Sequence, residues 1–396
     1  MTKEKSTVPR LRFPGFTDAW KQRKLGEVAV VVMGQSPDSK NYTNNPLDNI
    51  LVQGNADLKN GNVEPRVWTT QITKIAEKGD IIVSVRAPVG DVAKTRYKVV
   101  LGRGVAGIKG NDFIYQTLIR MKQFGYWMKL STGSTFESIN SGDIKSSLIP
   151  LPSLPEQEAI GSFFSDLDQL ITLHQRKLDD VKELKKALLQ KMFPKGNGND
   201  FPELRFPEFT DAWKQRKLGE VLKERNESRS PSADVPLVSF TVENGVTPKT
   251  ERYNREFLVR DEDKKYKFTQ LDDIVYNPAN LKFGAIARNK YGAAVFSPIY
   301  VTYGVLSEAH PLFVELIVTS TNFIQRALRY QEGTVYERMA VKSFDLLRSE
   351  IPLPTLPEQE AIGSFFSDLD QLITLHQRQL DHLKLLKKAL LQQMFI

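Results

Sequence analysis

Apolar side chains recur at alternating steps of four and three residues along two segments of this chain. In the first segment the positions on this pattern are Leu167, Ile171, His174, Leu178, Val181, Lys185, Leu188 and Met192. In the second segment they are Leu369, Ile373, His376, Leu380, Leu383, Lys387, Leu390 and Met394. This spacing is typical of a coiled-coil seam, and it predicts one long helix in each segment.

Local signals mark the boundaries of both helices. Ser153 and Glu156 precede the first helix, and Thr355 and Glu358 precede the second, each pair with a proline between them. This arrangement predicts a capping box, in which the hydroxyl and the glutamate satisfy free amides of the first helical turn. The first helix is expected to end at Pro194, and the Gly- and Asn-rich stretch that follows is expected to be a flexible joint.

The two helical segments are near copies of each other. Residues 154–193 return as residues 356–395. The two copies differ at Lys177/Gln379, Asp180/His382, Val181/Leu383, Glu183/Leu385 and Lys191/Gln393. A shorter leader at 11–28 returns at 204–221 with one change, whereas residues 29–148 and 222–350 show no such agreement. We interpret the chain as two different variable domains held in one repeated frame.

Two near-identical helices in one chain are expected to pack on each other. An antiparallel pair with a pseudo-twofold axis places the variable domains at opposite ends of the resulting rod. The polar positions on the seam are His174, His376, Lys185 and Lys387. They either fix the register of the helices or lie at the edge of the seam, or they contact a partner subunit. Leu184 and Leu386 lie off the main stripe, and this surplus apolar surface predicts a partner-binding site.

Both variable domains are predicted to contain short strands and one late helix. Apolar runs bounded by Gly, Pro and Asp predict strands at 80–86, 97–101, 273–276 and 293–296. Single helices are predicted at 113–130 and 312–328, followed by polar loops at 131–141 and 331–338. Loops rich in hydroxyls, amides and arginine can read base edges, although most such loops are solvated turns.

These elements define the expected fold class and domain order. The fold class is α+β, with two mixed α/β globular domains separated by two long helices in an antiparallel coiled coil, as a pseudo-twofold tandem repeat. The expected order is a first variable domain at 1–150, a helical spacer and linker at 151–200, a second variable domain at 201–350 and a second helical spacer at 351–396.

Charge separates the variable parts from the helical parts. Residues 1–150 carry 22 Lys and Arg against 13 Asp and Glu, a net charge of +9, and residues 204–350 carry 22 against 20, or +2. Residues 151–203 and 351–396 carry −2 and −1. A polyanion is therefore expected to meet the variable domains, although excess lysine often serves only solubility.

Composition also limits the class of protein. The chain has no cysteine, no signal-peptide core and no apolar run of membrane-spanning length. We therefore expect a soluble, cytoplasmic protein with no membrane partner, no disulfides and no thiolate metal site.

Candidate catalytic patterns fail on their context. Gly102-Arg-Gly-Val-Ala-Gly107 matches a dinucleotide-binding fingerprint, but no helix is predicted at its third glycine and no acidic residue stands about twenty positions on. Asn277-Pro-Ala-Asn280 is similar to the Asn/Asp-Pro-Pro-aromatic motif of amino-methyltransferases but lacks the second proline and the aromatic ring. The four histidines form no metal-ligand spacing. The chain is therefore expected to have no catalytic activity of its own.

The order of variable domain, heptad helix, variable domain and heptad helix resembles the specificity subunit of type I restriction-modification systems. The resemblance covers essentially the whole chain and rests on Ile149-Pro-Leu-Pro-Ser-Leu-Pro-Glu-Gln-Glu158, on its copy at 351–360 and on the repeated Arg-Phe-Pro-x-Phe-Thr-x-x-Trp leader. It implies that each variable domain is a target recognition domain that reads one half of an interrupted DNA site. It also implies an antiparallel helical spacer on which two methyltransferase subunits, and then two restriction subunits, assemble. S-adenosylmethionine, ATP and Mg then belong to those partners, and no cofactor is expected in this chain.

The resemblance does not assign the side chains that contact double-stranded DNA, so we chose candidates by residue type and loop position. In the first domain they are Gln53, Asn55, Arg86, Lys94, Arg96, Arg103, Ser134 and Thr135. In the second they are Asn277, Asn280, Lys282, Arg288, Arg329, Thr334 and Arg338. One alternative is an adaptor that joins protein partners through its coiled coil without sequence-specific DNA binding. Another is a standalone methyltransferase, which the missing motifs oppose.

Overall fold

The computed structural model describes residues 8–130, 137–195, 201–248, 265–332 and 339–396. Contacts divide the chain into unit one, Met1–Leu178 with His376–Ile396, and unit two, Asp179–Leu375.

The strands of unit one are β1 (Lys21–Lys24), β2 (Val30–Met33), β3 (Tyr42–Thr43), β4 (Asn49–Val52), β5 (Leu58–Lys59), β6 (Asn62–Val63), β7 (Val67–Thr69), β8 (Lys74–Ala76), β9 (Ile81–Ser84), β10 (Val92–Lys94), β11 (Val99–Leu101), β12 (Val105–Lys109) and β13 (Leu148–Leu151). Its helices are α1 (Leu25–Val28), α2 (Asp112–Gln123), α3 (Tyr126–Leu130), α4 (Ser141–Ser146) and the first part of α5 (Leu154–Lys191).

Unit two contains the remaining elements. Its strands are β14 (Lys214–Lys217), β15 (Leu222–Glu224), β16 (Ser228–Arg229), β17 (Val238–Thr241), β18 (Gly245–Pro248), β19 (Tyr266–Thr269), β20 (Ile274–Tyr276), β21 (Ile286–Arg288), β22 (Ala294–Phe296), β23 (Val301–Val305) and β24 (Glu350–Leu353). Its helices are the last part of α5, α6 (Pro311–Val318), α7 (Thr321–Ala327), α8 (Ser343–Leu347) and the first part of α9 (Leu356–Gln393), whose last part belongs to unit one. Among the described helices, none combines the length and the apolar composition that a membrane crossing requires.

The two units share one strand order although their sequences disagree. Strands β2, β12, β9 and β10 lie side by side in that order in unit one, and β15, β23, β20 and β21 do so in unit two. Neighbours in both series run antiparallel. The strands predicted at 80–86 and 273–276 are the buried β9 and β20, and those predicted at 97–101 and 293–296 contain β11 and β22. The prediction of two α+β domains of similar plan is confirmed.

Each repeated leader is bound to the proline-rich segment in front of a long helix. Strand β1 pairs antiparallel with β13, with Lys21 opposite Leu151, and β14 pairs with β24 in the equivalent register. In unit one, Arg12 donates to both carboxylate oxygens of Glu156, at 2.6 and 2.7 Å. In unit two, Arg205 binds Glu358 in the same way, with both distances 2.7 Å. These buried pairs fix the start of each long helix to its leader.

The predicted capping boxes are therefore wrong in both units. Glu156 and Glu358 are almost completely buried, at 1% and 0% exposure, and their carboxylates face arginine rather than the free amides of the helix start. Hydrogen bonding to these carboxylates raises the pKa of Arg12 and of Arg205. A charged pair at this depth satisfies the glutamate more strongly than a backbone amide does.

An aromatic cluster holds each leader against the rest of its unit. In unit one, the Trp20 ring lies 5.5 Å from Phe113 and 6.1 Å from Phe395, and the two phenylalanines stack at 5.0 Å. The equivalent cluster of unit two is Trp213, Phe313 and Phe193. Phe395 follows α9 and Phe193 follows α5, so each leader packs against the end of the other repeat's helix.

Backbone hydrogen bonds reinforce this exchange of helix ends. Leu11 N–H donates to Gln393 O at 3.0 Å in unit one, and Leu204 N–H donates to Lys191 O at 2.9 Å in unit two. The core of unit one accordingly includes Leu391 from the last residues of the chain. The hydrophobic core of unit one is therefore built from two separate stretches of sequence, whereas that of unit two lies within Asp179–Leu375.

The predicted helical seam is confirmed within each unit, where parts of α5 and α9 pack antiparallel. In unit one, Lys387 Nζ donates to Asp168 at 2.6 Å, and the His174 and His376 rings lie 5.7 Å apart. In unit two, Lys185 Nζ donates to Asp370 at 2.5 Å. Burial lowers the pKa of Lys387, whereas the facing aspartate opposes this shift. Both seam lysines thus pair across the helices, as expected of residues that fix register.

Two glycines allow each long helix to approach its own variable domain. A Cβ on Gly161 would lie 2.8 Å from Asp112 Cβ, and one on Gly363 would lie 2.7 Å from Leu312 Cβ. Side chains cannot be accommodated at such distances, so close packing rather than a helix bend explains both glycines.

The single helix predicted late in each variable domain is wrong, because both helices are interrupted. In unit one, α2 ends near Gly125, whose φ of 71° is incompatible with a continuing helix, and α3 begins beyond it. In unit two, the Ser320 hydroxyl accepts from Phe323 N–H and caps a new helix, α7, after α6 has ended.

Candidate nucleic-acid interface

Several strands of unit one end at a common edge. Strands β4 and β11 run parallel and end together at Val52 and Leu101, and β9 ends at Ser84 opposite Val105 of β12. Gly102 N–H donates to Val52 O at 2.8 Å, and Val85 N–H donates to Gly104 O at 2.9 Å. These bonds join the turns that follow the strands. We call residues 34–36, 53–55, 86–88 and 102–104 the loop edge of unit one.

Four candidate residues lie on this loop edge. Gln53, Arg86 and Arg103 are exposed, and Asn55 is half-buried. The backbone beneath them is held by close contacts, since a Cβ on Gly104 would lie 2.0 Å from Gln53 O. Neither Arg86 nor Arg103 forms an ion pair with a described residue. The structure therefore brings together two free guanidinium groups and two carboxamides.

Sequence reasoning missed Gln35 and Ser36 on the same edge. Gln35 N–H donates to Leu101 O at 2.8 Å, and Arg103 N–H donates to the Ser36 hydroxyl at 3.2 Å. Both residues follow β2, which no prediction included. The signal available was the polar Gly-Gln-Ser-Pro turn after an apolar run, which is a common feature of loops.

Lys94 and Arg96 lie away from the loop edge. In the β9–β10 hairpin, Lys94 is opposite Ile81, at the other end from Ser84. Lys94 forms an ion pair with Asp112, and its ammonium lies 5.2 Å from the Tyr115 ring centre. Burial lowers the pKa of Lys94. Arg96 is exposed at this far end, so the structure separates both residues from the other candidates of unit one.

The corresponding turn of unit two carries three candidates, of which one is buried. Asn277 is 6% exposed, and its side-chain oxygen accepts from Ala279 N–H at 3.1 Å, so it shapes the turn. Asn280 and Lys282 are exposed on the same turn. Arg329 is exposed on a separate 3-10 turn after α7, and α7 packs against the turn that contains Lys282.

Arg288 is already paired within the fold. Its guanidinium donates to Asp272 at 2.5 Å and to Glu315 at 2.9 Å, and its side chain is 13% exposed. In the β20–β21 hairpin Arg288 lies opposite Ile274, at the end away from the connecting turn, as Lys94 does in the β9–β10 hairpin. Both residues thus attach the hairpin to the helix of their own domain.

Four candidates, Ser134, Thr135, Thr334 and Arg338, lie outside the described residues. The described residues next to them contact the turns that carry Arg86 and Pro278. Ser138 forms a β-bridge with Arg86, and Val341 N–H donates to Pro278 O at 3.2 Å. Each polar loop therefore rejoins the described structure at the turn after the central strand.

Leu184 and Leu386 are exposed on the long helices, at 50% and 40%. Further apolar side chains of these helices are also exposed, and sequence reasoning missed most of them. They are Leu170, Leu173, Leu372, Leu375 and Leu385. Leu170 and Leu184 are two heptads apart, as are Leu372 and Leu386, and the exposed Lys177 and Gln379 lie midway between them, so each helix presents exposed leucines at two separate levels beside its seam.

The described residues contain no group of three or more His, Cys, Asp or Glu side chains arranged to hold a metal ion. The arrangement that the structure does present is a set of cations, amides and hydroxyls on turns. Such groups can donate to phosphate oxygens and to base edges.

Comparison with known proteins places these features in context. Residues 17–183 and 210–385 match the family model for the type I restriction modification DNA specificity domain. A putative type I restriction enzyme MjaX specificity subunit of Methanocaldococcus jannaschii is 34% identical over 180 residues, which are 43% of this chain and 41% of that relative. The type I restriction enzyme MjaIX specificity subunit of the same organism is 22% identical over 413 residues, covering 95% of this chain and 92% of that relative. The crystal structure of the S subunit of a type I restriction-modification system from M. genitalium shares the fold, with a TM-score of 0.68 and 15% identity over 98% of this chain and 99% of that one.

Proposed function

Because the chain belongs to the type I restriction modification DNA specificity family, we propose that it is the non-catalytic subunit that recognises DNA sequence. Each unit reads one half of a bipartite, interrupted double-stranded site. The observation that carries the proposal is the shared strand order of the two units, whose connecting turns bear different polar side chains. A common scaffold with different turns is suited to reading two different half-sites.

The residue roles follow from exposure and charge. Arg86 and Arg103 are free to contact phosphate or guanine, and Gln53 and Asn55 are suited to adenine. In unit two the same roles fall to Asn280, Lys282 and Arg329. Arg96, Ser134, Thr135, Thr334 and Arg338 remain candidates. Lys94, Asn277 and Arg288 act by holding the hairpins in place, since their side chains are engaged within the fold.

Partner subunits supply the chemistry in this proposal. Two methyltransferase subunits dock on the exposed leucines of the long helices, and two restriction subunits join the resulting complex. S-adenosylmethionine, ATP and Mg²⁺ are bound by those partners, and the complex acts in the cytoplasm. A protein adaptor without DNA specificity would use the same leucines, so DNA binding distinguishes the two functions.

An electrophoretic mobility shift assay tests the proposal directly. The full chain is combined with the methyltransferase subunit of its own system and offered a duplex that carries the methylated site of the host genome, or a shuffled duplex. We expect preferential binding of the methylated-site sequence at physiological salt, by a factor on the order of 10³ or more. Equal binding of both duplexes would favour the adaptor.

Replacing residues 29–148 by the corresponding segment of another family member should change one half of the methylated sequence. The second half should persist, because unit two contributes its own turns and its own hairpin. Single-molecule sequencing of methylated bases in the host genome measures this outcome. The reciprocal replacement of residues 222–350 is the matched control and should alter the other half. A change in both half-sites after either replacement would contradict independent reading.

Changing Leu184 and Leu386 to glutamate should abolish co-purification of the methyltransferase subunits. Both side chains are exposed, so the chain itself should keep its fold, which circular dichroism measures. Gln169→Glu with Gln371→Glu adds the same charge at exposed positions of the same helices, and it should leave partner binding intact. Stoichiometric partner binding by the leucine variant would rule out this docking surface.

A further inference from the structure

The turn of unit two that carries Asn280 and Lys282 also presents a large apolar side chain. Phe283 is 64% exposed, although its neighbour Leu281 is 1% exposed and anchored in the core of the unit. Val242 is 51% exposed, and a Cβ on Gly284 would lie 3.7 Å from its Cγ1 atom. The exposed aromatic ring and the exposed valine beside its turn form an apolar surface that the described residues of the unit do not cover.

The turn is held rigidly by its own hydrogen bonds. Phe283 N–H donates to Asn280 O at 2.9 Å, and Gly284 N–H donates to Leu281 O at 2.8 Å, with Gly284 at a φ of 83°. The buried Asn277 side chain accepts a hydrogen bond from Ala279 N–H and so fixes the residues just before this turn. A side chain on such a turn is presented in a nearly fixed direction, so little conformational entropy is lost when it contacts a ligand.

We propose that Phe283, together with Val242, reads the C5-methyl group of a thymine in the half-site bound by unit two. This inference rests on the proposed function. Apolar side chains such as phenylalanine recognise thymine through its methyl group in the major groove. Lys282 places its ammonium 5.0 Å from the ring centre of Phe283. The cation occupies one face of the ring, so insertion between base pairs, which needs both faces, is disfavoured relative to a methyl contact.

The corresponding turn of unit one lacks this feature. Its exposed residues after β9 are Arg86, Ala87 and Pro88, and it carries no aromatic side chain. Both turns therefore present a cation, Arg86 in unit one and Lys282 in unit two, but only the turn of unit two adds an exposed aromatic ring.

Binding of the full chain with its methyltransferase partner to duplexes that carry the methylated site tests this assignment. Each thymine of the unit-two half-site is replaced in turn by deoxyuridine, which lacks only the methyl group. One of these replacements should weaken binding by wild-type protein about fourfold, the effect of burying one methyl group. Phe283→Ala should bind the thymine duplex about tenfold less tightly and should no longer distinguish thymine from uracil at that position.

Phe344→Ala is the matched control. Phe344 is 67% exposed on α8 and has the Arg348 guanidinium 5.3 Å from its ring centre, so its surroundings resemble those of Phe283. Its substitution should leave affinity and the uracil effect unchanged. The assignment is overturned if Phe283→Ala retains the uracil effect, if it binds like wild type, or if the half-site contains no thymine on either strand. Wild-type protein that prefers no sequence at all would instead refute the proposed function.

Discussion

Replacing Glu358 by alanine should lower the free energy of unfolding of unit two by about 3–5 kcal/mol, the cost of removing one partner from a buried ion pair. The substitution leaves Arg205, whose side chain is 13% exposed, without its carboxylate. It also removes the acceptor of Trp213 Nε1, which lies 3.2 Å from Glu358. Arg205 would keep only its hydrogen bond to Asp211 O, and buried Trp213 Nε1 would have lost its acceptor, so the leader should detach from the helix start.

Hydrogen–deuterium exchange measures this effect separately in each unit. Amides of β14 and β24 should lose protection, whereas β1 and β13 of unit one should not, because Arg12 and Glu156 remain paired there. Glu360→Ala, at an exposed position of the same helix, should change nothing. Replacing both Arg205 and Glu358 by methionine should cost much less than the single change, since no charge is then buried alone. Undiminished protection of β14 in Glu358→Ala would show that this pair does not hold the leader.

Duplicating one heptad in each long helix, Leu178–Leu184 and Leu380–Leu386, should abolish methylation at the original half-site spacing. The two cross-helix ion pairs, Lys185 with Asp370 and Lys387 with Asp168, flank the insertions, and whole heptads keep the seam in phase. Each helix becomes longer by ~10.5 Å. At about 3.4 Å per base pair, this corresponds to roughly three more base pairs between half-sites.

Three base pairs also rotate one half-site by about 100° around the DNA axis, given 10–10.5 base pairs per turn. The duplicated protein should therefore methylate a site with a longer spacer or lose binding, and methylome sequencing distinguishes the two outcomes. Duplication in one helix only is the control and should break at least one of the two ion pairs, because both cannot then stay in register. Full methylation at the original spacing in the doubly duplicated protein would show that these helices do not set half-site separation.

The long helices and central strands were predictable because their signals are local. A heptad pattern or a run such as Ile81–Ser84 needs no knowledge of distant residues. The prediction of capping boxes failed because the partner is distant in sequence. The residue that binds Glu156 is Arg12, 144 positions away. The prediction of one uninterrupted helix in unit two failed because Ser320 looks like an ordinary polar residue in the sequence. Only the structure shows that its hydroxyl caps a new helix.

The candidate site was predictable only as far as residue type and loop position determine exposure. Arg86 and Arg103 were found because they follow strands, and strand ends meet at an edge. Lys94 and Arg288 have the same side-chain chemistry, but the sequence does not reveal that carboxylates of their own domains pair with them. Phe283 was missed because apolar residues are expected in the core, and only the structure shows this ring exposed.

The exchange of helix ends has a consequence for biosynthesis. Leu391, Met394 and Phe395 belong to the core of unit one, whose leader is synthesised long before them. Unit one therefore cannot complete its core until Phe395 has left the ribosome, whereas unit two needs nothing beyond Leu375. Unit one is begun before unit two and finished after it, and until then Trp20, Phe113 and Phe164 lack their contacts with Phe395. Nascent chains that stop before Phe395 would expose this aromatic surface to chaperones and proteases, so only chains that include it would be available for assembly.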